Sequence, residues 1–545
     1  MDNIENPIIS STRRTTWLPI LLGTLLPLLT VACDADSELS LGGPGDPNAP
    51  QPYDSDNPNA PWDSTMSSDP WDTNRPPSSD GNDTHTPNDS STSSNPGNDT
   101  QSPDTDPVWT LPQPKQAALA RFDLQCDPQD LITGTRPNAE NYCHASKVDP
   151  CVPYDYRIDC TLKITDGNGD VHYNDFVSIR RRGRSSRNYH KPSYNFEMQT
   201  SGGDNNPAPL LGMGKEQDWI LDGSWMDRSF MRNNIVSDIF RKLGPRRWAP
   251  KSRFGQMTFN GQAQGIYRLV EKIKRDDDRI DITEDDGTGE SFVLKQDDDG
   301  DMRAYLGLER TQGNFMNPTS GNNTWKLVYP HRDRASTAQR QNIQNWLNAM
   351  ANAIPQGQAF NYLDIDTTVD WILLQEFAKN IDGYMLSMFF YKDRNDANGK
   401  AHIVPWDFDL SMGQPGSTQF SNNPSAEGFS RQTNNTNQND SFILGLAKDP
   451  ALAPALAQRW QELRQGPFSK EYIDAHIDNY LLVLRGQAIT DNFSLWPISQ
   501  VTFQHIWTAY TLYSVSSFED EVAKWRQWIY QRLEWLDANI HTFPG

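Results

Sequence analysis

The sequence predicts an α+β fold in which a β-rich lobe precedes an α-rich lobe, and both follow a disordered linker. Apolar runs that alternate with polar residues cluster between residues 115 and 298, a pattern typical of strands. Apolar residues at helical spacing dominate from about residue 336 onward. Residues 34–110 contain few aliphatic side chains, so they cannot bury enough apolar surface to fold. The predicted units are a leader at 1–32, a linker at 33–110, a β-rich lobe at 111–275 and an α-rich lobe at 276–545.

The acidity of the chain is concentrated in the predicted linker. The 545 residues carry a net charge of −22. Between Cys33 and Thr110 there are 15 acidic side chains and one basic side chain, Arg75, which leaves the rest of the chain only mildly acidic. We interpret the linker as a hydrated tether. The globular part has no basic stripe in its sequence, which argues against nucleic acid as a partner.

The N-terminal residues have the pattern of an export signal. Arg13 and Arg14 precede an apolar run that contains two prolines and is short for a transmembrane helix. The run ends in Leu-Thr-Val-Ala followed by Cys33, which resembles a bacterial lipobox. We expect an exported lipoprotein that is anchored to the bacterial cell envelope or surface through lipidated Cys33. An ordinary secretory signal with an incidental cysteine is the alternative.

Four further cysteines lie close together in the chain. They are Cys126, Cys143, Cys151 and Cys160. Because an exported protein meets an oxidising compartment, an even number of clustered cysteines predicts two disulfides. The sequence leaves their connectivity open. A zinc site is the rival interpretation, but the spacing lacks any Cys-x-x-Cys pair.

A loop of small residues follows the first predicted strands. The strand candidates are RFDL, DYRIDCTLKIT, HYNDFVSIRRR and PSYNFEM. Between the last two, Arg184 and Ser185 lie in an Arg-Gly-Arg-Ser-Ser segment, and Lys191 begins the next strand. Such a loop with a nearby lysine is one way to hold phosphates. A solvated lysine is the ordinary alternative.

A predicted helix and three further strands follow this loop. Asp227 is a suitable helix cap, Gly244-Pro245 ends the helix, and apolar residues recur between them at helical spacing. Two strands joined by Asn260-Gly261 come next, and Glu271 closes the second. The third strand, SFVLKQDDD, contains Lys295.

The segment from residue 371 to residue 411 contains the strongest functional pattern. A helix is followed by Asp382, an apolar segment, a turn with Asn398-Gly399, a second apolar segment and Asp407. Asn-Gly between two such segments predicts a hairpin. Because a hairpin returns the chain to its starting point, the two carboxylates should lie close together. Such a pair suits phosphoryl transfer, in which one carboxylate orients the accepting hydroxyl and the other holds Mg²⁺.

The order of these elements predicts a bilobal protein-kinase-like fold. In that layout Lys191 and its loop would grip phosphates, and the chain from Glu271 onward would cross between the lobes. Several segments also resemble the CotH kinase family of atypical kinases. They are RGRSSRNYHKPSYNFEM, the block from Asp218 to Gly244, FNGQAQGIYRLVEKI, LVYP, NIDGYMLSMFFYKD and VPWDFDLSMG.

The resemblance implies phosphorylation of protein Ser or Thr hydroxyls with ATP and Mg²⁺ or Mn²⁺. It makes Asp382 the catalytic aspartate and Asp407 the metal ligand. Ser387 stands where protein kinases place a metal-binding Asn, so Asp409 or Asn380 could serve instead. The predicted helix lacks a Glu, and Lys295 is a rival to Lys191 for the nucleotide. A catalytically weak or inactive scaffold that acts as a surface binding or assembly protein is therefore the alternative, and a carbohydrate hydrolase with paired acids is a third hypothesis.

Overall fold

The computed structural model describes residues 109–127, 157–183, 186, 189–298, 323–331, 334–384, 386–417, 425–430, 440–500, 503–504 and 509–543. All of these residues belong to one unit of the chain. The predicted lipidation residue Cys33 lies outside the described residues. So do the predicted phosphate-loop residues Arg184 and Ser185 and the predicted disulfide residues Cys143 and Cys151.

Seven of the first nine strands close into a barrel. The strands are β1 Ala120–Cys126, β2 Ile158–Thr165, β3 Val171–Arg181, β4 Tyr194–Gln199, β5 Ala208–Pro209, β6 Lys215–Glu216, β7 Asp218–Asp222, β8 Ser252–Phe259 and β9 Gln262–Glu271. The order around the barrel is β1-β2-β3-β4-β7-β9-β8, and the parallel pairing of β1 with β8 closes it. β5 and β6 pair separately. Alternate residues of β1 and β2 are buried, which gives the barrel an apolar interior.

A disulfide joins the first two strands of the barrel. Cys126 and Cys160 lie directly opposite each other in the register of β1 and β2 and are bonded. This is one of the pairings that the four cysteines allowed.

The predicted hairpin is confirmed and lies in a second sheet. This sheet has the order β11-β10-β12-β13, with β10 Phe292–Asp298, β11 Asn323–Tyr329, β12 Met388–Lys392 and β13 Ala401–Val404. β12 and β13 are antiparallel, with Phe389 opposite Val404 and Lys392 opposite Ala401. Gly399 has a φ of 61° in the connecting turn, a conformation that glycine adopts without steric cost.

The described residues also contain eight α-helices. They are α1 Arg232–Phe240, α2 Thr337–Ala353, α3 Ile365–Ala378, α4 Asp440–Leu446, α5 Leu452–Leu463, α6 Lys470–Leu481, α7 Gln487–Leu495 and α8 Phe518–Asn539. Three short strands, β14 Pro415–Ser417, β15 Phe503–Gln504 and β16 Ala509–Leu512, form a third sheet. One apolar core connects the helices with the second sheet and the outer face of the barrel. None of the described helices is both long enough and apolar enough to cross a membrane.

The predicted bilobal kinase arrangement is wrong, although the α+β class is confirmed. The β-rich half is a closed barrel, and Glu271 is the last residue of its strand β9 rather than part of a crossing between lobes. The half that was predicted to be helical contains the second sheet. The sequence could not show the closure, because β1 and β8 pair across more than 130 positions, and no local pattern encodes such a contact. The domain boundaries that we placed on the sequence remain predictions.

Candidate active site

The two ends of the hairpin meet at the side chain of Asn380. Its Oδ1 accepts a hydrogen bond from the backbone N–H of Asp382 at 3.2 Å, and its Nδ2 donates to the carbonyl of Asp407 at 3.1 Å. A further backbone bond joins the N–H of Ile381 to the carbonyl of Leu410. One amide therefore holds the backbone of both predicted catalytic residues. This is the convergence that the hairpin predicted.

Helix α3 delivers Asp382 to this position. The helix ends at Lys379, a left-handed residue whose N–H closes the last turn. Gly383 then packs so closely on α3 that a Cβ at this position would lie 2.2 Å from Oε1 of Gln375. A larger residue here would have to displace the side chain of Gln375, so this glycine allows close packing just after Asp382, whose side chain is half-buried.

Asp407 and Ser387 face each other across the opening of the hairpin. The hydroxyl of Ser387 donates to Oδ2 of Asp407 at 3.2 Å. Asp407 is exposed and has a φ of 66°, and Ser387 has a φ of 56°. Non-glycine residues in this region are uncommon and concentrate at functional sites. Ser224, Phe230, Lys379 and Met412 flank the same region and also have positive φ.

The beginning of helix α1 anchors the segment that follows Asp407. Oδ1 of Asn233 accepts a hydrogen bond from the N–H of Phe408 at 2.8 Å, and Nε of Arg232 donates to the carbonyl of Ser411 at 3.2 Å. Arg232 is fully buried and also binds Asp227 and Glu521. This helix was predicted to lack the Glu that kinases use, and in the structure it holds the segment after Asp407 in place instead.

Five carboxylates influence one another at this site. Burial raises the pKa of Asp409 well above its ordinary value, and the negative charges of Asp407, Asp222, Asp227 and Asp382 raise it further. Like charges that share a small volume favour either a proton or a cation among them. Two of the five already have arginine partners, since Asp222 pairs with Arg268 and Asp227 with Arg232. The remaining three surround the opening of the hairpin.

The oxygens of Asp407, Asp409 and Ser387 have the chemistry that Mg²⁺ or Mn²⁺ prefers. Among the described residues, no three His, Cys, Asp or Glu side chains lie close enough together to hold a metal by themselves. Mg²⁺ in nucleotide enzymes is usually held by one or two carboxylates together with waters and substrate phosphates. The residues therefore fit a metal that arrives with a nucleotide better than a resident metal centre.

One face of the second sheet leads from aromatic rings to these carboxylates. Phe389 and Trp406 contact each other edge to face with ring centroids 6.2 Å apart. Lys295, directly opposite Phe389, places its ammonium 5.3 Å from that ring. From the barrel, the guanidinium of Arg182 lies 5.6 Å from the ring of Trp406. Phe389 is buried and Trp406 is partly exposed, so the face combines one accessible ring with two cations, which are suitable partners for a nucleotide base and its phosphates.

Lys191 lies inside the protein and away from this face. It is 2% exposed. Its ammonium donates to the carbonyl of Ile266 and to Oδ1 of Asn492, and it lies over the rings of Phe230 and Tyr267. Sequence spacing could not distinguish this inward orientation from an outward one. Of the two predicted nucleotide lysines, Lys295 is the one whose surroundings suit that role.

The buried ammonium of Lys191 should make the stability of the protein depend on pH. Burial lowers the pKa of Lys191 to about 7 from an ordinary value of 10.5. Between these values the unfolded chain binds a proton that the folded chain lacks, so raising the pH favours folding by up to about 1.4 kcal/mol per pH unit. We expect Lys191→Met to remove this contribution. Denaturant unfolding at pH 7, 8 and 9 should give a flatter pH dependence for the variant, and parallel curves would contradict the assignment.

Glu271 is also buried, and its carboxylate contacts other protein groups. It is fully buried at the end of β9, where it accepts from Nη1 of Arg279 at 3.1 Å and from the N–H of Lys251 at 2.9 Å. These contacts connect barrel strand β9 to the chain that follows it. They give no support to a nucleotide contact.

Sequence reasoning missed several residues that build the site. It did not assign site roles to Asp222, Asp227 or Asn233, and it considered Asn380 only as a metal ligand. Asp227 was identified as a helix cap, and its carboxylate does accept from the N–H of Arg232. Asn233 carried no signal, because a polar residue in an amphipathic helix ordinarily faces solvent.

The comparison with protein families agrees with this geometry. The model of the CotH kinase protein family matches residues 179–536, which is about two thirds of the chain. The match includes Arg182, helix α1, the hairpin and the carboxylates at both of its ends. No curated protein sequence gives a significant match. On the extent of the family match, this chain belongs to the CotH kinase family.

Proposed function

We propose that this protein is an extracytoplasmic kinase that transfers the γ-phosphate of ATP to Ser or Thr hydroxyls of a surface or secreted protein. The observation that carries the proposal is the Asn380 bridge, which brings Asp382 and Asp407 to one opening beside a face of aromatic and cationic side chains. Membership of the CotH kinase family supports the reaction class.

Each residue of the site has a role in this proposal. Asp382 accepts a hydrogen bond from the substrate hydroxyl and orients it for attack. Asp407 and Asp409, with the hydroxyl of Ser387, are the ligands for a divalent cation. Bound Mg²⁺ or Mn²⁺ would neutralise charge on the phosphates.

Two cations and one ring would seat the nucleotide. Arg182 and Lys295 are placed to contact its phosphates, and partly buried Trp406, which packs on buried Phe389, offers its ring to the base. Burial raises the pKa of Asp222, but the charge and hydrogen bond of Arg268 lower it more, and the charge of Arg182 lowers it further. Arg182 therefore links the barrel to the carboxylate site.

The experiment that tests the proposal is phosphate transfer from labelled ATP. The full chain would be incubated with γ-labelled ATP and either Mg²⁺ or Mn²⁺, with casein and extracts of surface proteins as acceptors. We expect metal-dependent labelling that Asp407→Asn reduces by at least about a hundredfold. The control variant is Asp366→Asn, which removes an exposed carboxylate at the start of α3. Labelling that is equal in the two variants would contradict the assignment.

The alternative is a surface binding or assembly protein built on the same scaffold. The observation in its favour is Ser387, since a hydroxyl is a weaker metal ligand than the Asn that kinases use. That alternative predicts no thermal stabilisation by any metal–nucleotide pair and no labelling. A chain that is stabilised by Mg²⁺–ATP but transfers no phosphate would indicate a nucleotide-binding scaffold.

We also propose that the protein is anchored to the envelope through a lipid on Cys33, with residues 34–110 as the tether. The lipobox-like residues before Cys33 and the low aliphatic content of the tether support this proposal. The mass of the mature N-terminal peptide tests it. A diacylglyceryl group on Cys33 is the expected result, and a mature protein that begins at another residue would contradict it.

A further inference from the structure

A cavity lies beside the turn end of the hairpin, which is the end away from Asp382 and Asp407. Its volume is about 350 Å³, and its walls include Arg246, Arg247, Trp248, Arg279, Tyr391 and His402. Small-molecule sites in proteins begin at about 300 Å³. The residues that line it do not include Asp382, Ser387, Asp407 or Asp409. The cavity is therefore separate from the candidate active site.

Arg279 adds a buried cation to the wall of this cavity. Its side chain is fully buried, pairs with Glu271 through Nη1 and lies 4.5 Å from the ring of Trp219. In the part of the chain that the structure describes, its Nε and Nη2 have no hydrogen-bond acceptor. Because these two nitrogens are inaccessible to solvent, they do not face the open volume of the cavity, and Arg279 adds positive charge behind its wall without offering a free donor.

Two more guanidinium groups are fixed on the same wall. Nη1 of Arg246 binds Asp396 and lies 3.3 Å from Nε2 of His402. Nε of Arg247 binds Asp370 at 2.8 Å. Arg246 has a φ of 62°, a strained conformation for a residue with a side chain, and such strain is typical of ligand clamps. Arginine groups that are held at one edge lose little further entropy when another edge binds a ligand.

Aromatic rings form the rest of the wall. Tyr391 stacks on His402 with ring centroids 5.0 Å apart, and its hydroxyl donates to the carbonyl of Arg246 at 2.6 Å. Trp248 is only partly buried against the apolar cluster beneath it. Flat apolar surface next to guanidinium groups suits a ligand with a ring or short carbon body and an anionic group.

From this combination we propose that the cavity binds a small organic anion, with a phosphate or carboxylate group directed to Arg246 and Arg247. The net charge of the chain is −22, so nonspecific attraction of anions does not explain such binding. Asp281 and Asp393 also line the cavity. They oppose anion binding, and they favour a ligand with one anionic group over a polyanion.

Calorimetric titration of the full chain tests this inference with three probes. Phenyl phosphate and benzoate carry the two candidate groups on the same ring, and inorganic phosphate lacks the ring. We expect saturable binding of at least one aromatic probe. The aromatic probe that binds more tightly shows whether the cavity prefers a phosphate or a carboxylate group. Inorganic phosphate should bind more weakly than phenyl phosphate.

Two variants of the cavity sharpen the test. Arg246→Gln should weaken binding by about tenfold or more, since it removes a charge-assisted hydrogen bond to the anion. The side chain of Arg246 is 46% exposed, so this variant should fold. Asp393→Asn should tighten binding by severalfold, because it removes an opposing charge and keeps the oxygen that accepts from the N–H of Asn395.

A control at the candidate active site separates this inference from the proposed kinase activity. Asp407→Asn should leave binding of the probes unchanged, and the measurement requires neither ATP nor phosphate transfer. Binding that is lost in Asp407→Asn and retained in Arg246→Gln would place the probes at the active site and overturn the inference. So would the absence of saturable binding for all three probes at millimolar concentration.

Discussion

Asp382→Asn should lower kcat for phosphate transfer by about 10²- to 10⁴-fold while KM for ATP changes by less than about threefold. The substitution keeps the size of the side chain and removes the carboxylate that we propose orients the accepting hydroxyl. Asp382 is half-buried, and its backbone is held by Asn380 and, through its carbonyl, by the N–H of Leu386. Asn at this position keeps both of these backbone contacts.

The separate effects on kcat and KM distinguish this role from metal binding. Asp407→Asn removes a proposed metal ligand, so it should also raise KM for ATP and the Mg²⁺ concentration that gives half-maximal rate. Steady-state kinetics over ATP and Mg²⁺ concentrations would measure both. The same Asp366→Asn variant serves as the control. A variant at Asp382 that keeps more than about a tenth of the native kcat would show that another group orients the hydroxyl.

The hairpin was predictable because its signals are local. Asn398-Gly399 marks the turn, and the flanking apolar residues are close in sequence and pair as expected. A hairpin places the start of its first strand beside the end of its second, so it predicts that Asp382 and Asp407 lie close together. The same reasoning could not reach the other carboxylates at the site. Asp222 arrives from the barrel through strand β7, which is a tertiary contact without a sequence period.

The barrel and the buried charges were not predictable for a different reason. Strand patterns show which residues face each side of a sheet. They do not show which strands pair or whether the sheet closes into a barrel. Likewise, a lysine or arginine is ordinarily exposed, yet Lys191, Arg232 and Arg532 are buried here. Each of them is buried because oxygen acceptors from distant segments surround it. Those partners become visible only in the folded chain.

Arg532→Met should destabilise the protein by about 3–5 kcal/mol, the effect expected when one partner of a buried ion pair is removed. Arg532 on helix α8 is fully buried and pairs with Glu376 of helix α3 at 3.1 Å. It also donates to the carbonyls of Ala426 and Gly428 at 2.7 and 2.6 Å. Glu376 in turn accepts from the hydroxyl of Tyr384 at 2.6 Å. The variant would leave a buried carboxylate without its cation.

Because Tyr384 lies two residues after Asp382, removal of the Arg532 side chain should also loosen the segment that contains Asp382. Denaturant unfolding would measure the change in stability, and kcat below the melting temperature would measure the effect on the site. Arg526→Met is a matched control on the same helix. Arg526 pairs with Asp474 and Asp478 but is partly exposed, so its loss should cost about 1 kcal/mol or less. Equal destabilisation by the two variants would show that burial of the Glu376–Arg532 pair does not control the stability of this region. The double variant Glu376→Met/Arg532→Met should be more stable than Arg532→Met alone if the unpaired carboxylate causes the loss.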